Sequence, residues 1–167
     1  MKTKKAATRR TNPGREIERL AYFAGRWQHE GEMNAGAFGS GDSGGKFTYT
    51  ESCDWFAGNF ALVGRSKEKT PEGSMRGLSV VTWDPGEKTY VYFETNSMGE
   101  LFLSRGSVRG NTWTWHNASK RIINGKAMRT RLTLRQVSAD SATYKFEIGA
   151  RGQPMKVVME GRQTRMK

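Results

Sequence analysis

The strongest constraint on the fold is an alternation of apolar and polar residues that begins at Lys46 and continues almost to the C-terminus. In its first segment, one face carries the side chains of Phe47, Tyr49, Glu51, Cys53 and Trp55. A period of two is typical of a β-strand, in which successive side chains point to opposite faces. Turn residues recur about every 10–14 positions, which predicts about ten short antiparallel strands.

The connections between these strands favour a barrel over a sandwich. Nearly every connection is short enough for a hairpin, whereas a Greek-key sandwich needs a long crossover. The face predicted to point inward also carries polar side chains, which a dry sandwich core would exclude. The predicted fold class is therefore all-β, with a single antiparallel up-and-down β-barrel.

A short helix is predicted before the first strand. Asn12 can cap its N-terminus, and Pro13 suits the first turn. Ile17, Leu20 and Phe23 then follow at helical spacing, so one narrow apolar stripe can dock on the sheet. Gly25 ends the helix, because glycine adopts a left-handed conformation without a Cβ clash. We expect about three turns of helix closing one end of the barrel.

The basic charge of the chain is concentrated at its N-terminus. The formal net charge of the 167 residues is +12, and residues 1–15 hold six basic side chains and no acid. We predict that residues 1–14 form a basic flexible tail and that residues 15–167 form one lipocalin-like barrel domain. A tail of this composition can also attract a polyanion such as nucleic acid.

The location of the protein is predicted from what the sequence lacks. The single cysteine, Cys53, excludes an internal disulfide. No apolar segment resembles a signal peptide core or a membrane span. The cytoplasm is therefore the expected location, although a presequence removed before residue 1 would place the protein in the periplasm or outside the cell.

Several short motifs resemble those of a known superfamily. Gly25-Arg26-Trp27 after a short helix resembles the lipocalin and calycin signature, in which an arginine of the last strand covers the tryptophan. The resemblance implies that Arg162 or Arg165 covers Trp27, with Gly25 as the preceding turn. A guanidinium over an indole ring is a favourable cation–π pair.

More narrowly, the chain resembles the bacterial family called domain of unknown function 1579. The matching segments, in order, are Leu20 to Gly31, Trp55 to Leu62, Trp83-Asp84 before Lys88-Thr89-Tyr90, Ser97 to Glu100, and Glu160-Gly161-Arg162. The resemblance implies a lipocalin-like barrel and no established activity.

Few residues are suited to metal, haem or nucleophilic chemistry. His29 and His116 are the only histidines, and none pairs with Cys53 at metal-ligand spacing. Some haem-binding barrels of the same superfamily use one axial histidine, but His116 has the opposite parity from Trp113 and Trp115 and is expected to face outward. The Gly-x-Ser-x-Gly spacing occurs once, at residues 41–45, in a Gly- and Ser-rich segment and not in the strand-to-helix turn that a nucleophile elbow requires. We therefore expect no metal and no cofactor, and the sequence assigns no catalytic residue.

Polar side chains on the apparent inner face are the candidates for ligand binding. Strand parity groups them with aromatic and apolar residues in the predicted interior. The set is Tyr49, Glu51, Trp55, Tyr92, Glu94, Arg105, Trp113, Trp115, Asn117 and Met128. The alternative is that, in some strands, the face assigned here to the interior points outward, so that its charged side chains are exposed to solvent.

Three functions remain open from the sequence. The first is binding of a small, mostly apolar ligand inside the barrel, because a barrel of about ten strands is too wide for side chains alone to fill. The second is an isomerase, lyase or cyclase that uses the same cavity, in which a buried Glu51 or Glu94 acts as general acid or base. The third is polyanion binding through the tail and the basic outer face at Arg129, Arg131 and Arg135. The sequence leaves the oligomeric state open.

Overall fold

The computed structural model describes residues 13–37, 43–70 and 73–167. The predicted basic tail and the predicted cap at Asn12 lie outside these ranges, except for residues 13 and 14. Residues 38–42 and 71–72 also lie outside them. No helix in the described part of the chain is long and apolar enough to cross a membrane.

Eleven strands follow one short helical segment. The helix α1, Arg15–Glu18, continues into a 3-10 helix, Arg19–Phe23. The strands are β1 Gly25–Met33, β2 Gly45–Phe56, β3 Ala61–Thr70, β4 Gly73–Asp84, β5 Thr89–Asn96, β6 Leu101–Arg109, β7 Thr112–Asn117, β8 Arg121–Ile123, β9 Lys126–Ser138, β10 Ser141–Ala150 and β11 Lys156–Arg165.

Ten of these strands close into an antiparallel barrel. Each strand pairs with its neighbour in the chain, β7 pairs with β9, and β11 pairs with β1 to close the sheet. The three-residue strand β8 pairs only with β9 and adds a short hairpin beside the barrel. The prediction of a single antiparallel barrel of about ten strands with a short N-terminal helix is confirmed, whereas β8 was not predicted.

The helical segment has about the three turns that the sequence predicts, but its second part is tighter than an α-helix. Four α-helical residues are followed by five residues of 3-10 helix. Ile17 and Leu20 are buried as predicted, with 3% and 0% of their surface exposed. Gly25 has a φ of 110°, so the predicted use of a glycine at this turn is confirmed.

The helical segment covers one end of the barrel through aromatic contacts and hydrogen bonds. The indole Nε1 of Trp27 donates to the Phe23 carbonyl at 2.8 Å, and the Phe23 ring lies edge-on to Trp113 at 5.1 Å. The Tyr90 hydroxyl donates to the Glu16 carbonyl at 2.9 Å. Because Trp27 and Trp113 each expose only 1% of their surface, this end of the barrel is dry.

Cross-strand register decides which side chains face the interior. Residues directly opposite each other on antiparallel strands share a face. The buried Trp27 lies opposite Glu51, and Glu51 lies opposite Ser66. On the other side of the barrel, Val81 lies opposite Tyr92, and Glu94 lies opposite Phe102. The carboxylates of Glu51 and Glu94 therefore lie on the inner face, as predicted.

The prediction that Arg105 faces the interior is wrong. Its neighbours in β6, Ser104 and Gly106, lie on the inner face, and Gly106 lies opposite Tyr90 and Trp115. A Cβ at Gly106 would lie 2.5 Å from the Trp115 ring, so glycine is needed where this indole crosses the strand. Arg105 consequently points outward, where its guanidinium lies 3.8 Å from the carboxylate of Asp84.

Candidate ligand site in the barrel interior

Beyond the dry end, the interior of the barrel becomes polar around the carboxylate of Glu51. The Ser79 hydroxyl donates to its Oε1 at 3.4 Å, and the His29 Nε2 lies 3.5 Å from its Oε2. The thiol of Cys53 is hydrogen-bonded to the same carboxylate, and burial raises the pKa of this thiol. Glu51 is thus surrounded by three groups that can donate a proton or a hydrogen bond.

A glycine permits this close arrangement. A Cβ at Gly64 would lie 2.6 Å from the Oε1 of Glu51 and 3.3 Å from the Cys53 sulfur. Distances below about 3.0 Å require a neighbour to move, and strand neighbours are held by the sheet. The bare backbone of Gly64 therefore provides the room that the carboxylate and its donors occupy.

Two more carboxylates, those of Glu94 and Glu68, lie on the inner face nearer the open end. The Tyr92 hydroxyl donates to the Oε2 of Glu94 at 2.7 Å. Burial raises the pKa of Glu94, while this hydrogen bond opposes the shift, and burial also raises the pKa of Glu68. Burial disfavours the charged form of a carboxylate. Both side chains are therefore partly desolvated acids.

Tyrosine and histidine rings form walls around these carboxylates. The rings of His29 and Tyr49 are stacked with their centroids 4.2 Å apart, and Tyr144 lies 5.9 Å from His29. On the other side, the Tyr92 ring lies 5.7 Å from Trp115. Burial raises the pKa of Tyr49 and of Tyr92 well above the usual value, and nearby carboxylates add to the shift. Both hydroxyls therefore stay protonated and can donate.

Two buried polar side chains in this region have nitrogen atoms without a hydrogen bond. These atoms are both ring nitrogens of His29 and the Nε2 of Gln163. His29 and Gln163 expose 5% and 4% of their surface. A buried polar group without a partner is unfavourable, and in native proteins nearly all such groups are paired. Hydrogen-bonding capacity is therefore left over inside the barrel at these two side chains.

Inward-facing polar side chains at this level of the barrel keep part of their surface accessible. The Glu51 side chain keeps 20% of its surface exposed although it lies on the inner face, whereas Trp27 in the same barrel exposes 1%. Inward-facing Ser66, Glu94 and Ser104 are also half-buried. Barrels of this strand number leave internal space for water or a ligand. The polar residues therefore line accessible space.

The open end of the barrel carries both charge and apolar surface. The guanidinium of Arg121 lies over the Phe102 ring at 4.1 Å, and its charge acts on Glu94 and Glu100. Beside this opening, a groove of about 890 Å³ runs along β1, β2 and β11. It is lined by both acidic and basic side chains, including Glu30, Lys46 and Arg162. This groove borders the opening and does not contain the carboxylates described above.

The structure brings together half of the residues that the sequence assigned to the ligand site. Tyr49, Glu51, Tyr92, Glu94 and Trp115 meet in the middle of the barrel. Trp55 and Trp113 face inward, but they pack in the dry end with the helical segment. Met128 lies toward the open end, opposite Ala150.

Asn117 faces inward but has a structural role. Its Oδ1 accepts from the Thr130 backbone N–H at 2.7 Å, and its Nδ2 donates to the Ser119 carbonyl at 2.9 Å. These bonds tie β7 to β9 where the two strands separate around β8. The amide of Asn117 is therefore occupied by the backbone.

Sequence analysis missed His29, Glu68, Ser79 and Tyr144 as members of the site. The alternation of side chains along β1 could have identified His29, because it lies two residues from the inward-facing Trp27 and shares its face. Glu68 alternates with Leu62, Gly64 and Ser66, but the neighbouring Arg65, Lys67 and Lys69 made this segment look like a solvated face. Only the pairing of Tyr49 with Glu68 shows that this face points inward.

The two arginines near the C-terminus have different roles. The guanidinium of Arg165 lies over the Trp27 ring at 4.3 Å and donates to the carbonyls of Ala24 and Tyr22 at 2.6 and 2.9 Å. Arg162 points outward and is paired with Glu30. The predicted cover of Trp27 by a C-terminal arginine is confirmed, and Arg165 provides it.

The predicted basic strand lies on the outer face of β9. Arg131 makes two hydrogen bonds of 2.7 Å to Glu147, and Arg129 donates to the Gln153 carbonyl at 2.6 Å. His116, opposite Arg131, is exposed as expected. In the described part of the chain, no three His, Cys, Asp or Glu side chains are placed to share a metal ion.

The fold and its interior define a class of protein: a closed ten-stranded antiparallel β-barrel, covered at one end by a helix and polar within. Similar in fold is the crystal structure of Rv2717c from M. tuberculosis, with a TM-score of 0.62 and 15% sequence identity. The similarity covers 90% of this chain and 97% of that one.

The particular family follows from the sequence. Residues 12–165 match the family described as protein of unknown function (DUF1579). The chain therefore belongs to that family, as its motifs indicated. No curated protein sequence is significantly similar to the chain.

Proposed function

We propose that the protein binds a small, mostly apolar molecule inside the barrel and that the acidic cluster holds a cationic or hydrogen-bond-donating head group. The acidic cluster is defined here as Glu51, Glu68 and Glu94. One observation carries this proposal: three half-buried carboxylates share accessible interior space with aromatic walls.

The charge balance favours an amine over an acid as the head group. Carboxylates in a low-dielectric interior attract a cation more strongly than they would in water. Aromatic rings add to this attraction, because a cation over a ring face is also favourable. His29 is the basic side chain that contacts Glu51, and no second basic contact of Glu51 is found among the described residues. An anionic head group would face repulsion at the same place.

Native mass spectrometry of the protein purified from its own host tests the binding function. We expect a discrete added mass that is released on unfolding and that proves to be an organic molecule with an apolar body. The double variant E51Q/E94Q should lose this mass, while E147Q should keep it, because Glu147 lies on the outer face with Arg131. Equal occupancy in both variants would contradict the proposal.

Calorimetry with three matched indoles tests the head group. Tryptamine, 3-ethylindole and indole-3-propionate share one ring system and differ in charge. We expect tryptamine to bind at least about tenfold more tightly than 3-ethylindole, equivalent to about 1.4 kcal/mol, and indole-3-propionate to bind most weakly. Loss of this preference in E51Q/E94Q would assign the preference to the acidic cluster. Equal affinities for the three indoles would be consistent with ligand binding and would exclude a cationic head group.

A second candidate function is general acid–base catalysis in the same space. The observation that favours it is the approach of the His29 Nε2 to within 3.5 Å of the Glu51 carboxylate, with neither ring nitrogen of His29 held by a hydrogen bond. A histidine oriented by a carboxylate is a common arrangement for proton transfer. If the released molecule is turned over, H29Q should abolish turnover and retain binding. Turnover unchanged in H29Q would exclude this role.

A further inference from the structure

The outer face of β3 to β6 differs from the rest of the barrel surface because it is apolar. Four side chains lie directly opposite one another across these strands and form an unbroken row. The row consists of Val63, Val80, Phe93 and Leu103. All four are half-buried only by their neighbours in the sheet. We call this row, together with Leu78 and Leu101 beside it, the apolar band.

Leu78 and Leu101 are the most exposed members of the apolar band. They lie on either side of Thr95 in the adjoining row and expose 41% and 59% of their surface. The outer faces of other strands are more polar, with single exposed apolar residues such as Phe56 in β2 and Val137 in β9. The outer face of β1 carries Arg26, Gln28, Glu30 and Glu32, and that of β9 carries Arg129, Arg131, Thr133 and Arg135.

Basic side chains flank the apolar band. Lys67 lies directly opposite Arg76, so two like charges are adjacent across β3 and β4. Such a pair is unfavourable for the sheet alone and favourable where an anion lies against it. Arg65 lies opposite Leu78, and Arg105 lies beyond the other side of the band. Among the described residues, the acid on the outer faces of these four strands is Asp84, which is paired with Arg105.

The size of the apolar band argues against a stable dimer. It spans three inter-strand spacings and two rows, which corresponds to an area on the order of 200 Å². Each partner of a stable interface contributes about 800 Å². Two copies meeting through this face would also bring their basic flanks together. The occupant must therefore be anionic and must accept a small apolar contact.

We propose that this face docks on an anionic phospholipid surface. Shallow insertion of apolar side chains and attraction of Lys and Arg to anionic headgroups are the two contributions that hold peripheral proteins on such surfaces. Long basic side chains reach the headgroups while their stems lie along the apolar surface. The six basic residues of the first fifteen add a second polybasic segment to the same chain.

Vesicle flotation of the full chain tests the proposal. The vesicles consist of phosphatidylcholine alone or of phosphatidylcholine with phosphatidylserine. We expect binding only to the mixed vesicles, decreasing with added salt. K67Q and R76Q should each weaken binding about fivefold, which corresponds to one basic residue near an anionic surface. L78S/L101S should weaken binding at unchanged salt dependence, because the charges remain.

Matched substitutions outside the face provide the controls. R129Q and R135Q remove basic residues from the outer face of β9, and V137S replaces a valine that exposes 65% of its surface. These variants should bind as the parent protein does. Equal losses in the face and control variants, or no binding to the mixed vesicles, would overturn the proposal. Analytical sedimentation could instead show a dimer that the L78S/L101S substitutions dissociate. That result would assign the face to a second copy of the chain and would also overturn the proposal.

Discussion

The two halves of the barrel interior are built from different chemistry. At the helix-covered end, Trp27, Leu62 and Trp113 are almost completely buried. The Trp27 indole N–H is paired with a backbone carbonyl, and the Trp113 indole N–H is buried without a partner. Toward the open end, the inner face carries Glu51, Glu94 and His29, whose ring nitrogens have no hydrogen bond. Burial of apolar surface stabilises a fold, whereas burial of charge opposes folding. We therefore expect the dry end to contribute more to the stability of the barrel than the polar half.

The largest effect is expected from shortening a side chain in the dry end. Leu62 exposes none of its surface and belongs to the core beneath the helical segment. L62A should lower the free energy of unfolding by about 2–5 kcal/mol through lost burial and a residual cavity. Urea denaturation measures this change. L101A is the matched control, because Leu101 is exposed and its loss should change stability by no more than about 0.5 kcal/mol.

A smaller effect is expected from the arginine that covers the dry end. R165A removes the contact with Trp27, three hydrogen bonds to carbonyls and one to the Asp140 carboxylate, which should lower the free energy of unfolding by about 1–3 kcal/mol. R162A removes an exposed ion pair and should have an effect of less than about 1 kcal/mol. Equal losses in the two variants, measured by thermal and urea unfolding, would show that the cover of Trp27 contributes nothing specific.

In the polar half, removal of a single hydrogen bond should have little effect on stability. Ser79 donates to Glu51 at 3.4 Å, a long distance for such a bond. S79A should therefore lower the free energy of unfolding by about 1 kcal/mol or less. A loss as large as that of L62A would mean that the polar half also stabilises the fold, and the contrast between the halves would fail.

Replacing the buried carboxylates should have the smallest effect on the free energy of unfolding at neutral pH, and it should change how that free energy depends on pH. Because burial raises the folded pKa of Glu68 and Glu94, their stabilising contribution is present below the unfolded pKa and is lost as the pH rises through the folded pKa. E68Q/E94Q should flatten this decline and leave stability at neutral pH equal to or above that of the parent. Tyr92, Glu51, Glu100 and Arg121 act on Glu94 and remain in this variant.

Glu147 provides the control of opposite sign. The hydrogen bond from Arg131 lowers its pKa, so its contribution is present above the unfolded pKa and is lost as the pH falls through the folded pKa. E147Q should therefore reduce stability at neutral pH and have no effect in strong acid. Urea unfolding across a pH series measures both variants. Parallel pH profiles for E147Q and E68Q/E94Q would contradict the assignment of buried and paired carboxylates.

Strand periodicity predicted the inner face correctly in strands whose two faces differ clearly in polarity. In β2, aromatic residues alternate with Lys46, Thr48 and Thr50, and the side chains of Tyr49 and Glu51 were placed correctly. In β6, leucine occurs on the face that lies outside, so parity placed Arg105 inside. In β3, the lysines on either side of Glu68 made the segment look solvent-exposed, so the inward orientation of Glu68 was not predicted. The prediction failed for strands of mixed polarity, because hydrophobicity does not identify the inner face when the outer face is apolar or the inner face is polar.

Most strands and turns and the end of the helix at Gly25 were predictable from the sequence, because they depend on local geometry and on residues that have few alternative conformations. The approach of a C-terminal arginine to Trp27 was implied by the resemblance to the lipocalin and calycin signature, since this contact joins distant parts of the chain. The folded barrel was needed to show which of Arg162 and Arg165 makes that contact, which face of β6 lines the interior, and that Glu51, Glu68 and Glu94 share one space. Closure of the barrel fixes the register of every strand against its neighbours, and a shift of one residue would exchange the two faces.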